Sequence, residues 1–128
     1  MNYRRKQDPA VAEAAADHRR REDAAPRLRD AAPKLQSLRL KIEEIRAEGR
    51  VTAMSYVRPI VVATAPAHFE FRCTEPKCDG RHDLTVPILR ALRQSLGSCT
   101  GESSCSGIIG SVLCDRTLAY VAEATYLA

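Results

Sequence analysis

Apolar residues between 33 and 48 recur at helical intervals. Leu35, Leu38, Ile42 and Ile45 are spaced three, four and three apart, and Leu28 extends the stripe upstream. This spacing predicts a helix carrying a coiled-coil-like seam about two heptads long. Pro33 suits its first turn and Gly49 its end. A first helix is predicted from Pro9 to about Ala24, where alanines and charged residues dominate and the apolar side is shallow. Residues 1–8 read as a disordered lead-in.

Beyond Gly49 the period shortens. Residues 51–64 are rich in β-branched side chains, with Pro59 marking an edge position or bulge. Phe69, Phe71 and Cys73 alternate with His68, Glu70 and Arg72, so 51–64 and 68–73 are expected to pair as a hairpin. Asp83 is a suitable cap for a helix reaching about Leu96, with Ile88, Leu89, Leu92 and Leu96 on one face. A small-residue loop follows at 97–107. A short strand is expected over 108–113, and an alternating run over 116–127. The chain therefore divides into the lead-in 1–8, a helical extension 9–49 and a cysteine-rich domain 50–128. The fold class is α+β, a β-β-α-β-β unit with a mostly antiparallel sheet behind an N-terminal helical extension.

Composition makes the supply of core material the central question. The 128 residues include only four Tyr, two Phe and no Trp, so the core is modest and benefits from a metal, a crosslink or a partner. The net charge of +4 lies entirely in residues 1–50, which hold 13 Lys/Arg against 9 Asp/Glu. Arg19, Arg20 and Arg21 form a basic cluster suited to anion or nucleic-acid contact. Interleaved acids, and the lack of an aromatic platform around the cluster, favour a solvated helical face instead. No apolar run is long enough to cross a bilayer, and the opening residues lack the pattern of a signal peptide. The expected location is cytoplasmic, with thiols reduced.

All five cysteines fall in the second half of the chain. Cys73 and Cys78, separated by four residues, form one half of a candidate zinc site, and Cys105 and Cys114 the other. His82, four residues beyond Cys78, is the substitute ligand, and Cys99 competes for a place within the glycine-serine loop. The chain lacks a Cys-x-x-Cys redox pair and any acid placed for metal-assisted catalysis.

The favoured functional reading is a non-catalytic, cytoplasmic protein-interaction or regulatory module fastened by zinc. Leu35, Leu38, Ile42 and Ile45 are its expected contact face, toward another protein or a second copy of the chain. The alternatives are a nucleic-acid-binding module using the basic N-terminal half and a thiol redox sensor.

Overall fold

The structure, a computed structural model, describes residues 9–128. The expectation of disorder for 1–8 lies outside the described residues. The fold is α+β, with an N-terminal helix, α1 (Pro9–Ala24), and a short helix α2 (Leu28–Ala31). The long strands are β1 (Leu35–Arg46), β2 (Val51–Ile60) and, at the end of the chain, β8 (Arg116–Tyr126). Between them lie β3 (Glu70–Arg72), β4 (Arg81–Asp83), α3 (Thr85–Arg93), β5 (Ser98–Ser104), β6 (Ile108–Ile109) and β7 (Val112–Leu113). The main sheet has the order β2-β1-β8-β5 and is antiparallel throughout, while β3-β4 and β6-β7 form separate two-stranded hairpins.

The second predicted helix is therefore corrected: residues 35–46 form an inner strand of the main sheet. Leu38, Leu40, Ile42 and Glu44 alternate inward, whereas Arg39 and Lys41 are exposed. This period of two is the strand signature. Leu35 joins the same face despite its odd position, because Leu35 pairs with Tyr126 and Ser37 with the adjacent Thr125. That extra residue on β1 is a bulge, and it reverses the alternation. Ile45 stays on the opposite face and is half-buried. One bulge thus converts a strand pattern into an apparent helical interval.

The Leu35/Leu38/Ile42/Ile45 contact face is corrected for the same reason. Leu35, Leu38 and Ile42 lie in the core, packed with Leu118, Tyr120 and Ala122 of β8 and with Ile88, Leu89 and Leu92 of α3. Gly49–Arg50, expected as a domain boundary, falls within the β1–β2 connection, where Gly49 adopts φ +71°.

The expected pairing of 51–64 with 68–73 is also replaced. β2 pairs with β1, and β3 pairs with β4, Phe71 standing opposite His82. The alternating run 116–127 is realised as β8, whose Leu118, Tyr120 and Ala122 point into the core. The predicted strand at 108–113 is a tight hairpin reversed at Gly110, φ +64°. α3 ends sooner than predicted, although the Asp83 carboxylate accepts the Thr85 N–H at 3.0 Å, as suits a helix start. No helix among the described residues is long and apolar enough to cross a membrane.

Candidate metal centre

The two small hairpins converge on four cysteine sulfurs. Cys73 follows β3, and Cys78 lies in the turn between β3 and β4. Cys105 follows β5, and Cys114 follows β7. The Sγ atoms of Cys73, Cys78, Cys105 and Cys114 all lie within 4.8 Å of one another. Cys73 and Cys114 are 3.8 Å apart, and Cys78 and Cys105 are 3.6 Å apart. A tetrahedral thiolate site with metal–sulfur bonds near 2.3 Å requires sulfur separations of about 3.8 Å. A disulfide would require about 2.05 Å. The cluster can chelate a metal ion, and its donors come from the four positions selected in the sequence.

The two halves repeat one local design. Cys78-Asp79-Gly80 turns so that the Gly80 N–H donates to Cys78 Sγ at 3.3 Å, and Cys105-Ser106-Gly107 gives the same 3.3 Å bond from Gly107 to Cys105. Each glycine carbonyl then accepts an amide from the remaining cysteine of its half: Cys73 N to Gly80 O at 3.1 Å and Cys114 N to Gly107 O at 2.9 Å. These bonds extend the β3–β4 and β6–β7 ladders by one residue pair and fix where each sulfur points. The repeated Cys-x-Gly was legible in the sequence; its pairing across two hairpins was not.

A buried polar network joins this cluster to the main sheet. Glu44, at the inner end of β1, is fully buried. Its carboxylate accepts Thr74 Oγ1 at 2.7 Å and Arg116 Nη1 at 2.8 Å, and lies 3.9 Å from Cys73 Sγ. Arg116 also donates to Thr74 Oγ1 and lies 3.5 Å from Glu75. Burial alone would raise the Glu44 pKa, but the nearby His82 ring and the hydrogen bonds from Thr74 and Arg116 overcome it and hold the carboxyl at about 2. The thiols show the opposite behaviour. Burial drives Cys73 upward and pushes Cys105 up to about 12, so without a metal these two sulfurs are held as thiols.

His82 stands outside the four-sulfur group. Its Nδ1 donates to Ser103 O at 2.9 Å, and its buried Nε2 faces Glu44 at 3.6 Å. It supports the carboxylate beside the cluster. Cys99 also lies apart, half-buried against the core with Sγ 4.0 Å from Pro87 O.

The basic triplet is divided among separate tasks. Arg19 is exposed, Arg20 pairs with Asp17, and Arg21 binds Glu70 through Nε at 2.7 Å and Nη2 at 3.1 Å. Sequence reasoning missed Glu44, Arg116 and Glu70, since acids and arginines on a presumed solvent face carry no distinguishing local signal. Comparison with protein-family models, curated proteins and solved structures yields no match, so the reading of the site rests on its own geometry.

Proposed function

We propose that the four cysteines hold a structural zinc ion and that the chain is a non-catalytic protein-interaction module. The carrying observation is the closed donor set: four sulfurs at zinc-binding separations, each anchored by a hairpin, fill all four positions of a tetrahedral ion. A catalytic zinc keeps one position for water or substrate. Four soft donors favour zinc or iron among the common metals. Ion binding displaces thiol protons and so reverses the burial effect on Cys73 and Cys105.

Protein recognition is favoured over nucleic-acid binding by what remains exposed. Ile108, Val112 and Leu113 project from the β6–β7 hairpin at 51%, 67% and 74% exposure, immediately beside the metal ligands. Val51 and Val57 are exposed on the edge strand β2. Arg20 and Arg21 meanwhile have acidic partners within the chain. Zinc, in this reading, stiffens the hairpin that presents the apolar side chains.

Native mass spectrometry of freshly purified protein, compared with its denatured mass, tests the metal assignment. One zinc retained per chain, and lost in the Cys105→Ser/Cys114→Ser variant, is the expected result. A metal-free chain lighter by two hydrogens for each disulfide would instead establish a redox cluster.

A further inference from the structure

We propose that His18, His68 and Glu70 form a second, weaker metal site that clamps α1 onto the cysteine-bearing half of the fold. The ligand atoms offered by the two imidazoles and the carboxylate all lie within 4.8 Å of one another. His18 comes from α1, whereas Glu70 opens β3 and His68 lies two residues before it. Two histidines and one carboxylate form a donor set suited to a divalent first-row transition ion with open positions.

One imidazole holds a nitrogen in reserve for such an ion. His68 Nε2 is buried without a hydrogen-bond partner, 3.6 Å from Glu70 Oε1, and the His68 side chain is only 10% exposed. Its other nitrogen, Nδ1, lies 3.5 Å from Thr85 Oγ1. His18 Nδ1 is hydrogen-bonded to Glu70 Oε2, a contact that an ion inserted between them would replace, and its Nε2 lies 3.3 Å from the Glu22 carboxylate. Metal-binding imidazoles commonly use one nitrogen for the ion and anchor the other to an outer oxygen, the roles assigned here to Thr85 and Glu22. Beside the cluster, a cavity of about 330 Å³ is lined by His18, Glu22, His68 and Glu70 and walled by Pro59 and Ile60. It leaves room for water on the open side of an ion.

Charge sets the strength of the site. Arg21 and Arg81 both donate to Glu70, at 2.7 and 2.8 Å, and offset the carboxylate that an ion would use. Their charge makes this site weaker than the four-thiolate cluster, so it fills after that cluster and empties before it. Its position gives it a structural consequence. Val11 is the sole buried residue of α1, and Arg72 Nη2 to Val11 O at 3.2 Å is one of the few other ties of the helix to the domain. An ion bridging His18 to His68 and Glu70 adds a crosslink there.

Full-length protein saturated with zinc and weighed under native conditions should carry two ions. A mild chelator should remove the second while leaving the first. His18→Asn and His68→Gln should each reduce the content to one. Zinc beyond the first equivalent should also slow trypsin cleavage at Arg19 and Arg20. Cadmium-113 NMR of the unsubstituted protein reads the donors without relying on a variant: one resonance in the all-thiolate region and one in the nitrogen/oxygen region are expected. A single zinc at saturation, one cadmium resonance, a second zinc surviving in both variants, or an unchanged cleavage rate would overturn the proposal.

Discussion

Gly80 and Gly107 face each other between the two halves of the cysteine cluster, and neither position has room for a side chain. A Cβ on Gly107 would lie 2.6 Å from Gly80 N and collide with Cys78 Sγ; one on Gly80 would lie 2.6 Å from Gly107 Cα and meet Cys105 Sγ. Each glycine thus abuts the sulfur of the opposite half. Neither has a positive φ, so the requirement is for space alone.

Gly80→Ala and Gly107→Ala should therefore force the hairpins apart. Each is expected to weaken zinc retention at least tenfold in a competition with a chromophoric chelator. Gly110→Ala on the open side of the same hairpin has empty space around it and costs only the strain of its φ of +64°, about 1 kcal/mol. Its zinc affinity should remain within about threefold of the unsubstituted protein. Equal losses at all three glycines would show that backbone conformation, rather than the close approach, governs the centre.

The α+β class and the four cysteines were legible because both rest on local signals. Alternation at Leu118, Tyr120 and Ala122 survives intact in β8, and thiols clustered in sequence draw notice by chemistry alone. The strand at 35–46 was obscured by the bulge at its start, which places Leu35 on the face of Leu38 and Ile42. Leu40 is fully buried and breaks the helical interval, making it the residue that discriminated between the two periods. Glu44 could not be found by pattern, because its partners Thr74 and Arg116 lie 30 and 72 residues away. The pairing of β1 with β8 is likewise a long-range outcome, fixed by burial rather than by any turn.

Glu44 should impose an acid limit on stability. Its carboxyl is held at about 2 in the fold, below its ordinary value of 4.5. A depressed folded-state pKa contributes stability above the unfolded value, and that contribution is lost as pH falls from about 4.5 toward 2. Glu44→Gln removes the charge while keeping the shape. It should be less stable at pH 7 by about 3 kcal/mol, the scale of a carboxylate shifted this far. At and below about pH 2 the two proteins should converge, because the native carboxyl is then becoming protonated as well. Thermal denaturation of both proteins across this range checks the sign; a constant difference would remove the ionised carboxylate from the explanation.

Two truncations separate the helix from the sheet. Removing residues 1–24 deletes α1, with its single buried side chain Val11, and frees Glu70 from Arg21 and His18. The remaining chain keeps every strand and should retain its β-sheet circular dichroism, with a melting temperature lowered by roughly 5–10 °C, as expected for a loss of about 1–2 kcal/mol in a domain of this size. Removing residues 1–49 also takes β1, which lies between β2 and β8. That chain should fail to fold, even with zinc present. A cooperative melt from the shorter fragment would show that 50–128 is self-sufficient.

Substitutions along β1 distinguish its two faces most directly. Leu40 is fully buried among Leu38, Ile42, Leu118 and the residues of α3, so Leu40→Ala should cost about 2–5 kcal/mol. Ile45, half-buried on the opposite face, should cost about 1 kcal/mol or less when changed to Ser, because much of its surface remains in water after folding. A helical contact face would reverse this ranking, since Ile45 belongs to the three-four-three stripe and Leu40 does not. Chemical denaturation of the two variants provides the comparison. A larger loss at Ile45 than at Leu40 would contradict the inward alternation of β1 and, with it, the placement of Glu44 beside the cysteine cluster.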